Sequence, residues 1–350
     1  MITVDNRQIF NLTLTVRSPL CIGSGTSLQK NEYLYDPRTQ TVSVLDQNAF
    51  VSLLARKNLV DAYEQFILQG GALYRFLRND CGLTSQEIKS VVRYSLSAAD
   101  ALQENTSLKE IQAFQRDTRG RAYVPGSSVK GALRTAYLVH RILAEPPASE
   151  VPFQESAYLN LPHCDRRNSL NMVNDLFRAV QVADSTPLPD SALILASKID
   201  VLPDGSQNRI NVCRECLRPG TAIRLTLTLD QSLLQGRITQ ELLQKSILDF
   251  SQYYCETYLS RFHLPKSAAS VSYQNCLLLG AGTGFFAKTV TYPYYGQEQA
   301  LRRTSRFLQN KFPNGNHAKD ETYGIAPHTL KYTQYNGSLY PFGVCGVEFQ

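Results

Sequence analysis

The densest chemistry in this 350-residue chain lies in one short run, Gly126-Ser127-Ser128-Val129-Lys130-Gly131-Ala132-Leu133-Arg134. It joins a predicted strand to a predicted helix. The first N–H groups of a helix have no internal partner and carry the positive end of its dipole, so they favour a phosphate. Lys130 and Arg134 are four apart, hence on one helix face, and are expected to point to solvent. Gly126 and Gly131 would let a partner's backbone come close. The plainer alternative is a serine N-cap leading into an ordinary soluble helix.

A second glycine-rich run, Gly280-Ala-Gly282-Thr-Gly284, follows Leu277-Leu278-Leu279. A dinucleotide fingerprint would need its third glycine one position later and an acidic residue about 20 positions on. Arg302 and Arg303 occupy that region instead, and Lys288 lies too far from Gly284 for a phosphate-binding P-loop. The run, with Lys288 and Thr289 behind it and Arg302, Arg303 and Arg306 on a basic helix, suits a continuous phosphate backbone or a neighbouring chain better than a compact cofactor. A tight turn without a ligand is the alternative. Tyr292, Tyr294 and Tyr295 offer stacking on unpaired bases or packing against a neighbouring element.

Other residues that could do chemistry lack companions at the right spacing. Cys213 and Cys216 have no second cysteine pair and no histidine pair at zinc spacing; His163 and Cys164 would complete a set only if the fold brought them there. The expectation is no metal and no cofactor. Of the histidines, His317, with Lys319 in a Gly/Asn-rich loop, is the one to watch, and His140 reads as a helix-face residue.

The elements that must position these residues alternate without a regular βαβ pattern, which predicts an α+β chain. Strands are expected at 9–17, 33–35, 41–45, 179–183, 192–202, 209–217, 221–229, 277–279, 329–334 and 344–349. The segment around Gly23-Ser24-Gly25 reads as a loop. Residues 111–124 predict a hairpin closed at Gly120. Helices are expected at 46–57, 59–80 (broken at Gly70-Gly71), 84–92, 129–143, 169–178, 239–262 and 297–311. The Pro-rich, polar stretch 144–168 suggests a division into domains 1–147 and 148–350.

Composition bounds the function. The hydrophobic fraction of 43 % and charged fraction of 19 % fit a folded globular chain. No stretch has the roughly 18 apolar residues of a membrane span, and the first residues do not read as a signal peptide. Eight scattered cysteines then suggest free thiols in the cytoplasm. The net charge of +6 sits at the two ends of the chain, +3 over 1–150 and +3 over 281–350, with none over 151–280. That permits a polyanionic partner without demanding one.

The Gly126–Arg134 run after a hairpin resembles the signature of the RAMP superfamily of CRISPR-associated proteins. The strand leading to Ser18-Pro-Leu-Cys-Ile-Gly23-Ser24-Gly25 resembles that family's opening strand and loop. Arg178-Ala-Val-Gln-Val-Ala-Asp184-Ser185, the Leu279–Phe285 run with Lys288-Thr289, and the closing Tyr340–Glu348 resemble the fifth subunit of type III-A (Csm) effector complexes. The resemblance implies a tandem ferredoxin-like (RRM-like) fold with helical insertions and Gly-rich loops. It implies a non-catalytic subunit that binds the guide RNA (crRNA) backbone, caps its 3′ end and supports its maturation in antiviral defence. The implied partners are crRNA, other Csm subunits and host nucleases that trim the guide. The RNA-binding set under this reading is Arg17, Gly23, Ser24, Gly25, Arg116, Arg121, Gly126, Ser127, Ser128, Lys130, Gly131, Arg134, Gly280, Gly282, Gly284, Lys288, Thr289, Arg302 and Arg303. The rival is a metal-independent endoribonuclease that processes the guide precursor, with histidine as general acid or base.

Overall fold

The structure is a computed structural model that describes residues 2–102, 110–147, 152–161 and 172–350. His163 and Cys164 lie outside the described residues. Strand Arg7–Val16 buries Phe10, Leu12, Leu14 and Val16 in alternation, and strand Ala222–Asp230 does the same with Ile223, Leu225, Leu227 and Leu229. Alternating burial gives each strand one apolar face, and the two pair antiparallel in a register that puts Leu14 beside Ile223.

Two long helices cover that face. Helix Gly126–Ala144 buries Val129, Leu133, Ala136, Tyr137 and Ile142; helix Gln240–Thr257 buries Leu243, Ile247, Phe250 and Tyr254. Both sets follow helical spacing, and the two helices pack against each other. In chain order the path is strand Arg7–Val16, helix Gly126–Ala144, strands Val180–Val182 and Ala222–Asp230, helix Gln240–Thr257 and strand Val344–Phe349. The first strand lies between the fourth and the third, and the second lies outside the third, all antiparallel. This is the ferredoxin-like β-α-β-β-α-β arrangement. Cys276–Leu278 and Ile2–Val4 extend the sheet to six strands.

The second sheet has nine strands. Its main path runs Gly23–Leu28, Ile111–Phe114, Gln207–Leu217, Leu193–Val201, Val92–Ser97, Thr41–Leu45, Tyr33–Asp36, and the hairpin Leu330–Tyr335/Ser338–Pro341 joins at Leu193–Val201. A satellite core under helices Gln47–Arg56 and Val60–Gln69 holds Phe50, Leu53, Phe76 and Leu77. The expected α+β class therefore stands, with a ferredoxin-like unit in the first sheet. Strands from before residue 147 and after residue 148 pair with each other in both sheets.

Some local expectations change. Gly23–Leu28 is an edge strand, not a loop. Val92–Ser97 and Ser338–Pro341 were not anticipated; the latter closes on Asn336-Gly337, both at positive φ, as a tight hairpin turn demands. The helix expected over 169–178 is replaced, in its described part, by short 3₁₀ turns Met172–Asn174 and Leu176–Ala179. There the Asp175 carboxylate caps the Phe177 N–H and starts a new turn, and Leu176, Phe177 and Ala179 are buried in a crowded run that lacks helical spacing. The basic helix runs Thr291–Lys311 with a break at Gly296.

Candidate nucleic-acid interface

The strand-to-helix junction is built from both resemblance motifs. The Gly126 N–H donates to Asp184 Oδ1 at 2.8 Å, and the Val124 N–H donates to Ser185 Oγ at 2.9 Å. Gly126 is required here because a Cβ would lie 2.1 Å from the Val182 carbonyl oxygen. One of the helix's free donors is thus already met by a carboxylate of the chain itself. Ser127 and Gly131 are exposed, and Ser128 is half-buried.

Lys130 and Arg134 share a face, but neither points freely into solvent. Arg134 is paired with Glu155 at 2.5 Å and Asp175 at 2.6 Å, and lies over the Phe177 ring. Lys130 makes no ion pair among the described residues. Burial holds its ammonium below the ordinary lysine range, with Asp175 opposing and Arg134 adding to the shift.

The Gly280–Gly284 run folds onto the chain's own backbone. Ala281 donates its N–H to the Cys21 carbonyl at 2.8 Å. A Cβ on Gly280 would meet that same oxygen at 2.1 Å, and one on Gly282 would meet the Phe342 ring at 2.7 Å. The close partner expected at these two glycines is therefore intramolecular. Gly284, at φ +84°, has open space, as do Gly23 and Gly25 on the neighbouring edge strand. Ser24 Oγ is shared between Thr26 Oγ1 and the Ala113 carbonyl.

Beyond the glycines, Lys288 is exposed and makes no ion pair among the described residues. Burial of its surroundings leads in lowering its pKa, and Arg214 pushes the same way. Arg214 was not foreseen. Its Nε donates to Gln112 Oε1 at 2.7 Å, its guanidinium lies 5.9 Å from the Phe342 ring, and its buried Nη1 has no hydrogen-bond partner among the described residues. Strand alternation alone would have placed it opposite Cys213; nothing in the sequence places it beside Lys288, 74 residues later.

The two motifs meet in an open cleft of about 200 Å³ lined by Arg134, Thr135, Glu155, Lys288, Thr289 and Tyr295, among others. Thr289 Oγ1 also accepts the Thr291 N–H at the start of the basic helix. Arg303 stacks 4.2 Å from the centre of the Tyr295 ring, whereas Arg302 is exposed and pairs with Glu298. Tyr292 and Tyr294 are buried, leaving Tyr295 as the tyrosine of that trio at the cleft.

Three other arginines of the expected set are tied into the fold. Arg17 donates to the Ser272 and Gln274 carbonyls at 3.0 and 2.6 Å. Arg121 pairs with Asp117 inside the hairpin turn. Arg116 is nearly buried, 4.0 Å over the Tyr94 ring, and bonds Asp190 Oδ1 at 2.6 Å. Beside it, fully buried Glu215 accepts from the Tyr94 hydroxyl at 2.6 Å and the Phe114 N–H at 2.8 Å. Cys213 and Cys216 belong to different buried clusters, as residues three apart in a strand must.

A model of the RAMP superfamily matches residues 13–225. Csm5 of Enterococcus italicus is 26 % identical over 98 % of both chains, and Csm5 of Streptococcus thermophilus is 27 % identical over 90 % of this chain and 93 % of its own. Csm5 of Mycobacterium tuberculosis is 29 % identical over 70 % of this chain and 68 % of its own. Among solved structures, a chain of a type III-A Csm–crRNA–target RNA ternary complex covers 97 % of this chain and all of its own at a TM-score of 0.66 and 19 % identity. T. onnurineus Csm5 gives 0.62 at 18 % identity, covering 95 % of this chain and 99 % of its own.

Proposed function

The chain belongs to the RAMP superfamily, and from that premise we propose that it is a Csm5-like, crRNA-binding subunit of a type III-A Csm complex. The observation that carries the reading is the position of Lys288. It lines the cleft with Arg134 on one side and neighbours Arg214 on the other, without a carboxylate in ion-pair distance among the described residues. Lys288 and Arg214, which make no ion pair among the described residues, lie beside glycine backbone with open space at Gly23, Gly25 and Gly284, and together these suit a string of phosphates. Contacts of this kind read the backbone and not the bases, so recognition is largely independent of sequence.

In this reading the subunit covers the 3′ end of the guide, and host nucleases trim the guide up to that cover. It acts as a binder and not as a nuclease. The partners are crRNA and the other Csm subunits. No described helix is long and apolar enough to cross a membrane.

Tagged full-length protein expressed with the remaining Csm subunits and a guide precursor tests the role. Recovery of subunits together with a guide whose 3′ end is protected from exonuclease is the expected result. Recovery of the complex with an unprotected 3′ end would contradict the capping role. Metal-independent cleavage of labelled precursor by the purified chain, abolished by a single histidine change, would favour the nuclease.

A further inference from the structure

The loop between the basic helix and strand Leu330–Tyr335 gathers His317, Asp320 and His328. One ligand atom from each lies within 4.8 Å of the other two. His317 Nδ1 is 3.1 Å from Asp320 Oδ2, and His328 Nδ1 is 2.5 Å from Asp320 Oδ1. Both imidazoles therefore turn the same nitrogen toward one carboxylate. Asp320 is fully buried, and His328 is 5 % exposed.

Among the described residues no lysine or arginine pairs with Asp320; its ion-pair partners are the two imidazoles. Its backbone donor among the described residues is the His328 N–H at 3.1 Å. The buried phenols close by are engaged elsewhere, Tyr258 with the Pro327 carbonyl and Tyr292 with the Ala326 carbonyl. A buried carboxylate needs hydrogen-bond donors or a cation around both of its oxygens.

The donor set names the kind of cation. Two imidazole nitrogens and a carboxylate oxygen are the ligands of zinc-class divalent ions, whereas calcium and magnesium take oxygens. The ligands are also held from behind. Ser305 Oγ donates to the His317 carbonyl at 2.8 Å, and the Tyr323 ring stacks on His328 with centroids 5.4 Å apart. The Tyr323 stack holds the plane of the His328 ring, and the Ser305 bond ties the His317 backbone to the basic helix.

We propose that His317, Asp320 and His328 form a binding site for one Zn²⁺-class ion, which pins the loop after the basic helix to the second sheet. Zinc–ligand bonds of about 2.0–2.1 Å set tetrahedral ligand atoms about 3.3 Å apart. His317 and His328 bond different oxygens of Asp320, and the three ligand atoms lie within 4.8 Å of one another, so binding draws them together by up to about 1.5 Å and displaces any proton on Nδ1. A fourth position remains for water. The site does not depend on the RNA-binding role, and the cleft lies on other residues.

The test uses full-length protein treated with chelator, dialysed, and titrated with Zn²⁺ or Co²⁺ alone. The expected result is one ion per chain, a raised melting temperature, and Co²⁺ visible bands of a four-coordinate nitrogen/oxygen site. The variant His317→Gln with His328→Gln loses all three, while His140→Gln with His263→Gln keeps them. Should the first variant fail to fold, the wild-type Co²⁺ spectrum decides. Absence of uptake and of any melting shift overturns the proposal. Thiolate charge-transfer bands would overturn it too, by placing the ion on cysteines.

Discussion

Lys130 and Lys288 differ from Arg17, Arg116, Arg121, Arg134 and Arg302 in having no acidic or carbonyl partner among the described residues. An arginine already paired with a carboxylate must give up that pair to hold a phosphate, whereas a lone lysine gives up only water. Burial lowers the pKa of both lysines. Their positive charge is therefore lost at a pH below the ordinary lysine range. RNA affinity is expected to start falling in that window, and Lys130→Arg with Lys288→Arg moves the fall to higher pH. For stability the sign is opposite. A folded state that prefers the neutral amine carries a penalty while the group is protonated, and this penalty is relieved as pH rises from the folded toward the unfolded pKa. A binding-versus-pH titration of both proteins checks the first part, and melting temperature against pH checks the second. Deep in the fold, Glu215→Ala removes the buried acceptor of the Tyr94 hydroxyl and the Phe114 N–H and leaves Arg116 paired with Asp190 alone. A loss of about 3–5 kcal/mol in denaturant unfolding is expected, the usual cost of breaking one side of a buried charge network.

At the scale of elements, the glycines divide by what meets them. Gly282→Ala pushes a methyl into the Phe342 ring as well as straining a positive φ, while Gly284→Ala meets only the strain. Thermal melts should show Gly282→Ala as the more destabilising by about 1–3 kcal/mol, the range for overpacking. Gly284→Ala should leave stability nearer wild type and act on RNA binding. Much of this architecture was legible. Alternating apolar residues marked Arg7–Val16 and Ala222–Asp230, and a 3–4 spacing marked helix Gln240–Thr257. Asp117–Gly120 gave the hairpin turn from its residue types alone. What was not legible is pairing across long sequence separations. The Cys21–Ala281 bridge explains Gly280, and the Glu215 network explains why Arg116 is buried. No local pattern encodes either, because each depends on which strand lies alongside. The Asn336-Gly337 turn did carry a readable signal for the missed hairpin.

Over the whole molecule, strand Arg7–Val16 lies between Ala222–Asp230 and Val344–Phe349, so the sheet cannot be completed without both ends of the chain. We expect fragments 1–147 and 148–350 to show no cooperative melt when purified alone and to recover one when expressed together. A cooperative transition in either fragment by itself would show that it folds as an independent domain. The same interleaving brings Arg134 and Lys288, 154 positions apart in sequence, to one cleft. The most direct test of the central claim is the salt dependence of guide-RNA affinity for full-length wild type and Lys130→Ala with Lys288→Ala, each shown to be folded. Each phosphate contact to a single strand contributes about 0.7 to the slope of log affinity against log salt. The account predicts weaker binding by the variant and a slope shallower by about 1.4. A folded variant with wild-type affinity and slope would contradict it.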